Sequence, residues 1–425
     1  MLKFPEKGSD KYEVLDRRIA FERESGFREV SEKSFSGEGP GLTSSSDIPW
    51  GDEVRHLVIE AYKKFIFVQN WVSPGVMKMH EEVISMVGDL LGNQNPVGNM
   101  TTGGSESNLC AMFAAKSQAL STGKSKPGHN GSILLPRTAH FSFAKACHLF
   151  DLTPIIVEPI PDTVYKIDPE DMRRAVREDT IAIVATAGTF PFGNVDPIEE
   201  IGEIAEEKEL YFHIDACYGG FILPFLEKGG YKIEIPKWDF RVKGVSSIAA
   251  DFHKNGLLPP PSSCIIYRND KLLDFGKKIA LPEGCLSGTR SGGPMAAAWT
   301  MLNLVGLEGY IAIAKRSMEL KEALEEGARQ IGLKTVPDSK INLALIHSDE
   351  YDLMSVIQKL RQDGWIIRPL GVFPPVGFLA ILWPQNSIGQ IEAFLEALKE
   401  KMKLAEPIKS KAEMKVYALG YPTLY

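Results

Sequence analysis

From Glu53 onward apolar residues recur at helical spacing: Val54, Leu57, Val58, Ala61 and Tyr62 share one face, and Val76, Met77, Met79, Val83, Met86, Val87, Leu90 and Leu91 another. Two helices leading into a larger unit are expected. After them, short apolar runs alternate with helical stretches: Ile133 to Pro136, Pro154 to Val157, Ile181 to Ala187, Leu210 to Ile214, Ser247 to Ala250 and Ser263 to Tyr267. Strands separated by helices predict an α/β fold with a mostly parallel sheet covered on both faces. Ligands then sit beyond the carboxyl ends of the strands. Ahead of these strands, Gly98 to Leu109 reads as a Gly- and hydroxyl-rich turn followed by a helix from Cys110 to Leu120.

From Pro294 a long helical segment, Met295 to Leu304 and then Tyr310 to Ile331, leads to a second unit. Its expected strands are Ile341 to His347, Trp365 to Arg368 and Phe378 to Trp383, and its helices Asp352 to Gln362 and Ile388 to Leu404. The expected organisation is an N-terminal arm at 1–50, a large domain at 51–300, a small C-terminal α/β domain at 301–406 and a tail at 407–425. The arm reads as a short charged helix followed by a Gly- and Ser-rich stretch, with Ile48-Pro49-Trp50 as an anchor near its end.

Composition narrows the function. The 425 residues, 44% hydrophobic, can fill a sizeable core, and a net charge of −7 with a pI near 5.8 provides no basic field for nucleic acid or an anionic membrane. The first residues lack the apolar core of a secretory signal, and no run reads as the roughly 18–20 apolar residues of a membrane span. A cytoplasmic protein is expected. Five widely spaced cysteines (Cys110, Cys147, Cys217, Cys264, Cys285) fit reduced thiols better than a disulfide framework or a zinc site, so no metal is expected.

The candidate chemistry lies at the ends of the expected strands. Val245 to Gly256 delivers Asp251, His253 and Lys254 to the end of a strand before an Asn-Gly turn. A buried, desolvated lysine has its pKa lowered and can form a Schiff base with a carbonyl; an exposed turn lysine is the plain alternative. Asp215 ends the run Leu210 to Ile214, and a carboxylate there is costly unless a cation pairs with it. A protonated pyridine nitrogen would be such a cation. The Gly-rich turn Gly98 to Leu109 and the free N–H groups at the start of the helix that follows it can hold a phosphate, or can simply be a capped helix start. No Lys-Ser/Thr follows these glycines, so this is not a Walker loop. His140 could lie against the face of a cofactor ring, or could be a core or capping histidine. Pyridoxal phosphate (PLP) needs a lysine, a carboxylate and a phosphate cradle, and the chain offers all three.

Six segments carry a resemblance in order and spacing: Thr102 to Asn108, Thr138 to Ser142, Ala187-Gly188-Thr189 with Gly193 to Ile198, His213 to Ala216 with Gly219-Gly220-Phe221, Asp251 to Lys254, and Ser287 to Gly292. Together they resemble the group II PLP-dependent decarboxylases, in particular the short archaeal tyrosine/aspartate decarboxylases. The stretch from Pro5 to about Leu120 is also similar to sphingosine-1-phosphate lyases. The resemblance implies PLP-dependent transferase fold type I, of the aspartate aminotransferase kind. It implies that Lys254 holds PLP, Asp215 pairs with the pyridine nitrogen, His140 stacks on the ring and Thr189 lies near the phenolic oxygen. Gly104, Ser105 and His253 would contact the phosphate, and Thr289 would complete the phosphate site of a neighbouring subunit in a homodimer. The implied activity, in amino acid metabolism, converts an L-amino acid to an amine and CO2.

Two departures accompany the resemblance. Between Arg268 and Trp299 the chain has no tyrosine, although decarboxylases of this group usually carry a proton-donating tyrosine on that loop. The arginine that meets the substrate carboxylate in the family has Arg368 as its nearest candidate. After the lysine stands Leu258-Pro259-Pro260-Pro261, read as a wall that suits an apolar or aromatic side chain better than a phosphate. A carbon–carbon lyase of the sphingosine-1-phosphate lyase type and a non-catalytic homologue are the alternatives.

Overall fold

The computed structural model describes residues 51–126, 128, 131–160, 163, 165–279, 284–370 and 377–408. The expected arm at 1–50 and the tail from 409 lie outside the described residues. Helix α1 (Gly51–Phe65) and helix α2 (Pro74–Leu90) come first, as their periodicity predicts. Helix α2 begins where Ser73 accepts the Val76 N–H and Pro74 occupies a position that needs no donor.

A seven-stranded sheet follows: β1 (Val97–Thr101), β2 (Ser132–Pro136), β3 (Thr153–Val157), β4 (Thr180–Thr186), β5 (Tyr211–Asp215), β6 (Val245–Ala250) and β7 (Ser263–Tyr267). Its spatial order is β1-β7-β6-β5-β4-β2-β3. Neighbours from β6 through β5, β4 and β2 to β3 pair in parallel, whereas β7 runs antiparallel to both β6 and β1. The sheet is mostly parallel, as expected, with one reversed strand.

Strand β1 is a correction to the sequence reading, which placed a turn there. Asn99 and Thr101 obscure its strand character, and Gly98 contributes no side chain. Close packing explains Gly98, since a Cβ there would lie 2.1 Å from the Ile265 carbonyl oxygen. The helix after it, α3 (Gly104–Thr122), starts six residues ahead of Cys110, and most of its first half is buried.

Alternate residues of each central strand serve two cores. Ile183 and Ala185 of β4, with Phe212 and Ile214 of β5, pack towards α2, α5 (Pro169–Ala175), α6 (Ile198–Glu207) and α7 (Leu223–Lys228). Ala182, Val184 and Tyr211 face the other way, towards α3, α4 (Ser142–Phe150) and α8 (Asp270–Lys277). Burial on both faces explains why these strands read as unbroken apolar runs.

Helix α9 (Gly293–Gln330) is interrupted at Gly306, where φ is 61°. That break falls in the gap the sequence left between two helical stretches. By length and composition α9 is apolar enough to cross a membrane, yet Met295, Ala298 and Met301 lie in the core beside the sheet. Its far end packs Leu320 and Leu324 into a third core under a four-stranded antiparallel sheet. That sheet has the order β10-β11-β9-β8: β8 (Lys334–Thr335), β9 (Leu343–His347), β10 (Arg368–Leu370) and β11 (Gly377–Ile381).

Substituting Gly98→Ala is expected to push β1 off β7 and cost about 1–3 kcal/mol, read as a lower urea midpoint at unchanged slope. An unchanged midpoint would mean that the pairing tolerates the methyl group.

Candidate active site

A cavity of about 590 Å³ opens at the carboxyl ends of the central strands. Lining it are Gly104, Ser105, His140, Asp215, His253, Lys254 and Arg368 of the residues expected from sequence. Thr189 is fully buried outside this lining, with its hydroxyl unpartnered among the described residues. Thr289 is exposed, accepts a hydrogen bond from Trp71 Nε1 at 3.1 Å and does not line the cavity of its own chain.

Lys254 sits in the turn after β6. The turn closes through Leu257 N–H to the Lys254 carbonyl at 3.1 Å, and a Cβ at Gly256 would meet Phe252 Cα at 2.6 Å. The Lys254 ammonium lies 2.9 Å from Asp251 Oδ2 and 4.2 Å from the centroid of the Tyr218 ring. Here the structure corrects the expected depressed lysine. Burial is the largest single effect and pushes its pKa down, but the negative charge of Asp251, joined by Cys217, Tyr218 and Asp215, together outweighs burial and raises it above the ordinary lysine range. Without a ligand the Lys254 amine is held as a cation.

Asp215 is 5% exposed. Burial raises its pKa, but the charge that His140 carries when protonated at acidic pH, the Lys254 ammonium and the Cys217 N–H, 3.1 Å from Oδ1, together outweigh burial and hold it below the usual carboxylate range. Oδ2 accepts a hydrogen bond from Asn108 Nδ2 at 2.9 Å. His140 has its pKa lowered by burial, with Asp215 opposing, so it is neutral near pH 7.

At the start of α3, Gly103 stands at the N-cap with no side-chain bond, which leaves the first N–H groups of the helix to a ligand. Gly104 must be glycine, because a Cβ would lie 2.3 Å from Cys217 Sγ and 2.9 Å from Asp251 Oδ1. Glu106 ties the turn down by accepting from Thr102 N at 2.7 Å and from Ser287 N at 2.8 Å. An amine, an ionised carboxylate and an anion-receptive helix N-terminus thus meet in one cavity, which fits pyridoxal phosphate.

One wall is aromatic. Arg368 lies 4.9 Å from the Phe190 ring centroid, and Phe190 stacks on Tyr218 at 5.6 Å. The expected Leu-Pro wall is not part of the cavity: Leu258 is in the core and Pro259 to Pro261 are exposed. The apolar surface comes instead from Phe141, Phe190, Pro191, Tyr218 and Leu370.

With the geometry in place, comparison with known proteins decides the family. A model of the pyridoxal-dependent decarboxylase conserved domain matches residues 58–281. The chain belongs to the pyridoxal-dependent decarboxylase family. It is 35% identical to a probable L-tyrosine/L-aspartate decarboxylase of Methanothermobacter thermautotrophicus, over 76% of this chain and 87% of that relative. It is 31% identical to an L-aspartate/L-glutamate decarboxylase of Pyrococcus horikoshii, over 94% of this chain and 99% of that relative. Among solved structures it is similar to the sphingosine-1-phosphate lyase of Burkholderia pseudomallei, with TM-score 0.84 and 28% identity over 95% of this chain and 93% of the other. The fold is that of the type I PLP-dependent enzymes.

The sequence reading pointed to Lys254 and Asp215, and both line the cavity. What the sequence reading missed is their support: Asp251 beside Lys254, Tyr218 on the wall, and Asn108 on Asp215. Asp251 stood three residues before the lysine, a spacing that brings both side chains to one side of a turn. Asn108 had no local signal, since its partner lies 107 residues away.

Lys254 is raised above its unfolded value of about 10.4, so its charge contributes to stability fully below that pH and loses the contribution as pH rises through the higher folded value. Asp251→Asn is expected to destabilise the ligand-free protein at pH 7 by up to about 3 kcal/mol, less than for a fully buried pair because Lys254 is 23% exposed. Urea unfolding at pH 7 and above pH 10.4 checks this: equal stability of variant and parent at pH 7 would rule the pair out as a contributor.

Proposed function

We propose that this chain uses pyridoxal phosphate to decarboxylate an L-amino acid with an aromatic or hydrophobic side chain, yielding the amine and CO2. The observation that carries the reading is the meeting of Lys254, Asp215 and the α3 N-terminus in one cavity of a pyridoxal-dependent decarboxylase fold. Lys254 Nζ, Asp215, His140, His253 and the Gly104–Ser105 turn would hold the cofactor. When bound, pyridoxal phosphate supplies a sink for the electron pair left by the departing carboxylate.

The chain's own residues do the rest. Asp215, kept charged, favours a protonated ring nitrogen beside it. Asp251 supplies the Lys254 amine with a counter-ion and a place for a proton. Arg368 offers a forked donor to a carboxylate, and its stacking on Phe190 limits how far it swings. Of the two arginines among the described residues that line the cavity, Arg137 is paired with Glu158, so among those residues an acidic substrate side chain finds no second unengaged guanidinium. That supports an apolar or aromatic side chain against Phe190 and Leu370. With no tyrosine on the loop after the lysine, the phenol on the cavity wall beside Lys254 is that of Tyr218.

A second reading, cleavage of a carbon–carbon bond in a phosphorylated β-hydroxy amine, is favoured by the likeness to the Burkholderia pseudomallei lyase. Mass spectrometry of products from a panel of L-amino acids separates the two. Amines with matching CO2 are expected, with tyrosine, phenylalanine and tryptophan ahead of aspartate. Arg368→Ala should raise KM about 10- to 100-fold with a smaller change in kcat. Aldehyde from the β-hydroxy amine, and no amine from the panel, would replace the first reading with the second.

We propose further that the working form is a homodimer in which Thr289 serves the partner's phosphate site. Its exposure away from its own cavity supports this, as do the exposed Phe67, Trp71 and Leu286 around it. Mixing inactive Lys254→Ala with weakened Thr289→Ala should restore activity, because a mixed dimer holds one complete site. Absence of any recovery after subunit exchange would exclude a shared site.

A further inference from the structure

Behind Asp215 a connected file of buried side chains runs from the middle of the sheet to the cavity. The pleat puts Tyr211, His213 and Asp215 on the face of β5 that meets α3. Tyr211 Oη donates to Ser247 Oγ at 2.8 Å, and Ser247 Oγ lies 2.8 Å from His213 Nδ1. His213 Nε2 lies 2.9 Å from Asn108 Oδ1. Asn108 Nδ2 reaches both Asp215 Oδ2 at 2.9 Å and Ser142 Oγ at 3.0 Å. Ser142 Oγ is in turn 2.9 Å from His140 Nδ1.

The direction of every bond in this file follows from its charged member. An ionised carboxylate only accepts, so Asp215 must receive an N–H from Asn108; a flipped amide would set two acceptors against each other. The second amide hydrogen goes to Ser142 Oγ, and the amide oxygen is left facing His213. His213 Nε2 must therefore carry a hydrogen. Burial holds His213 down to about 4, so it is neutral and its Nδ1 accepts from Ser247. On the other branch Ser142 Oγ, already accepting from Asn108, gives its hydrogen to His140 Nδ1. The Ser142 N–H, 3.3 Å away, points at the same nitrogen. With two donors on Nδ1, the proton of neutral His140 resides on Nε2.

We infer that this file fixes the tautomer of His140, with Asn108 and His213 as positioning residues that make its other ring nitrogen, Nε2, a hydrogen-bond donor. An acceptor such as a substrate carboxylate then meets an N–H on that ring, where the opposite tautomer would present a lone pair. The inference concerns the same site as the decarboxylase reading and is tested without turnover.

Imidazole ¹⁵N spectra of the full chain, labelled at histidine, report the protonated nitrogen directly, and His140→Asn identifies the signal. Wild type is expected to show His140 neutral with hydrogen on Nε2. Asn108→Leu and His213→Leu should mix the tautomers and weaken pyridoxal phosphate binding about 10-fold, measured by equilibrium dialysis. His213→Gln should restore both, since its amide N–H can stand in for Nε2–H towards Asn108. Hydrogen on Nδ1 in wild type would overturn the inference, as would an unchanged His140 signal in a leucine variant whose circular dichroism is native. Should both leucine variants fail to fold, the wild-type tautomer and the His213→Gln spectrum still decide. A protein with Nε2–H that releases no CO2 would sink the decarboxylase reading and leave this one standing.

Discussion

Two carboxylates, Asp215 and Asp251, lie buried at the carboxyl ends of adjacent strands, and the surrounding structure is arranged to make that tolerable. Leaving an ion pair in the interior without full compensation costs several kcal/mol. Asp215 is held by the Cys217 and Asn108 N–H groups, and Asp251 by Lys254 and His253. Gly104 gives way to both carboxylates' surroundings, because any side chain there would strike Cys217 or Asp251. The same anions that strain the core therefore set where the lysine amine, the helix N-terminus and the asparagine amide can stand.

Much of the fold was legible because its central strands are buried on both faces and so spell unbroken apolar runs. Strand β1 was hidden for the opposite reason: Gly98 is there to let two backbones approach, and it contributes nothing to hydrophobicity. The reversed direction of β7 was also out of reach, since an apolar run does not state its orientation. In the site, Lys254, Asp215, His140 and the Gly104–Ser105 turn all reach one cavity from strand ends or a helix start, which topology alone predicts. Thr189 and Thr289 do not, and the Leu258 to Pro261 run turns to the core and the solvent. The side chain of Leu258 and the rings that follow depend on the direction of a turn with Leu257 at a φ of 64°, which composition does not encode.

The lysine shows how a local rule can be right about burial and wrong about charge. Desolvation pushes its amine towards the neutral form, but the negative groups around it, led by a carboxylate three residues earlier, together reverse the sign. The ligand-free protein thus keeps Lys254 protonated and paired with Asp251.

The alternation along β5 has a further meaning for how this site tolerates change. Tyr211, His213 and Asp215 point one way, and Phe212 and Ile214 the other. Slipping the pairing of β5 by a single residue would exchange the two sets, driving an imidazole and a carboxylate into the layer of Ile198, Ile201 and Ile204 and offering Asn108 a hydrocarbon. Strand register, ordinarily a property of folding, is here part of the chemistry. An insertion or deletion within the five residues of β5 would change that register and with it the site.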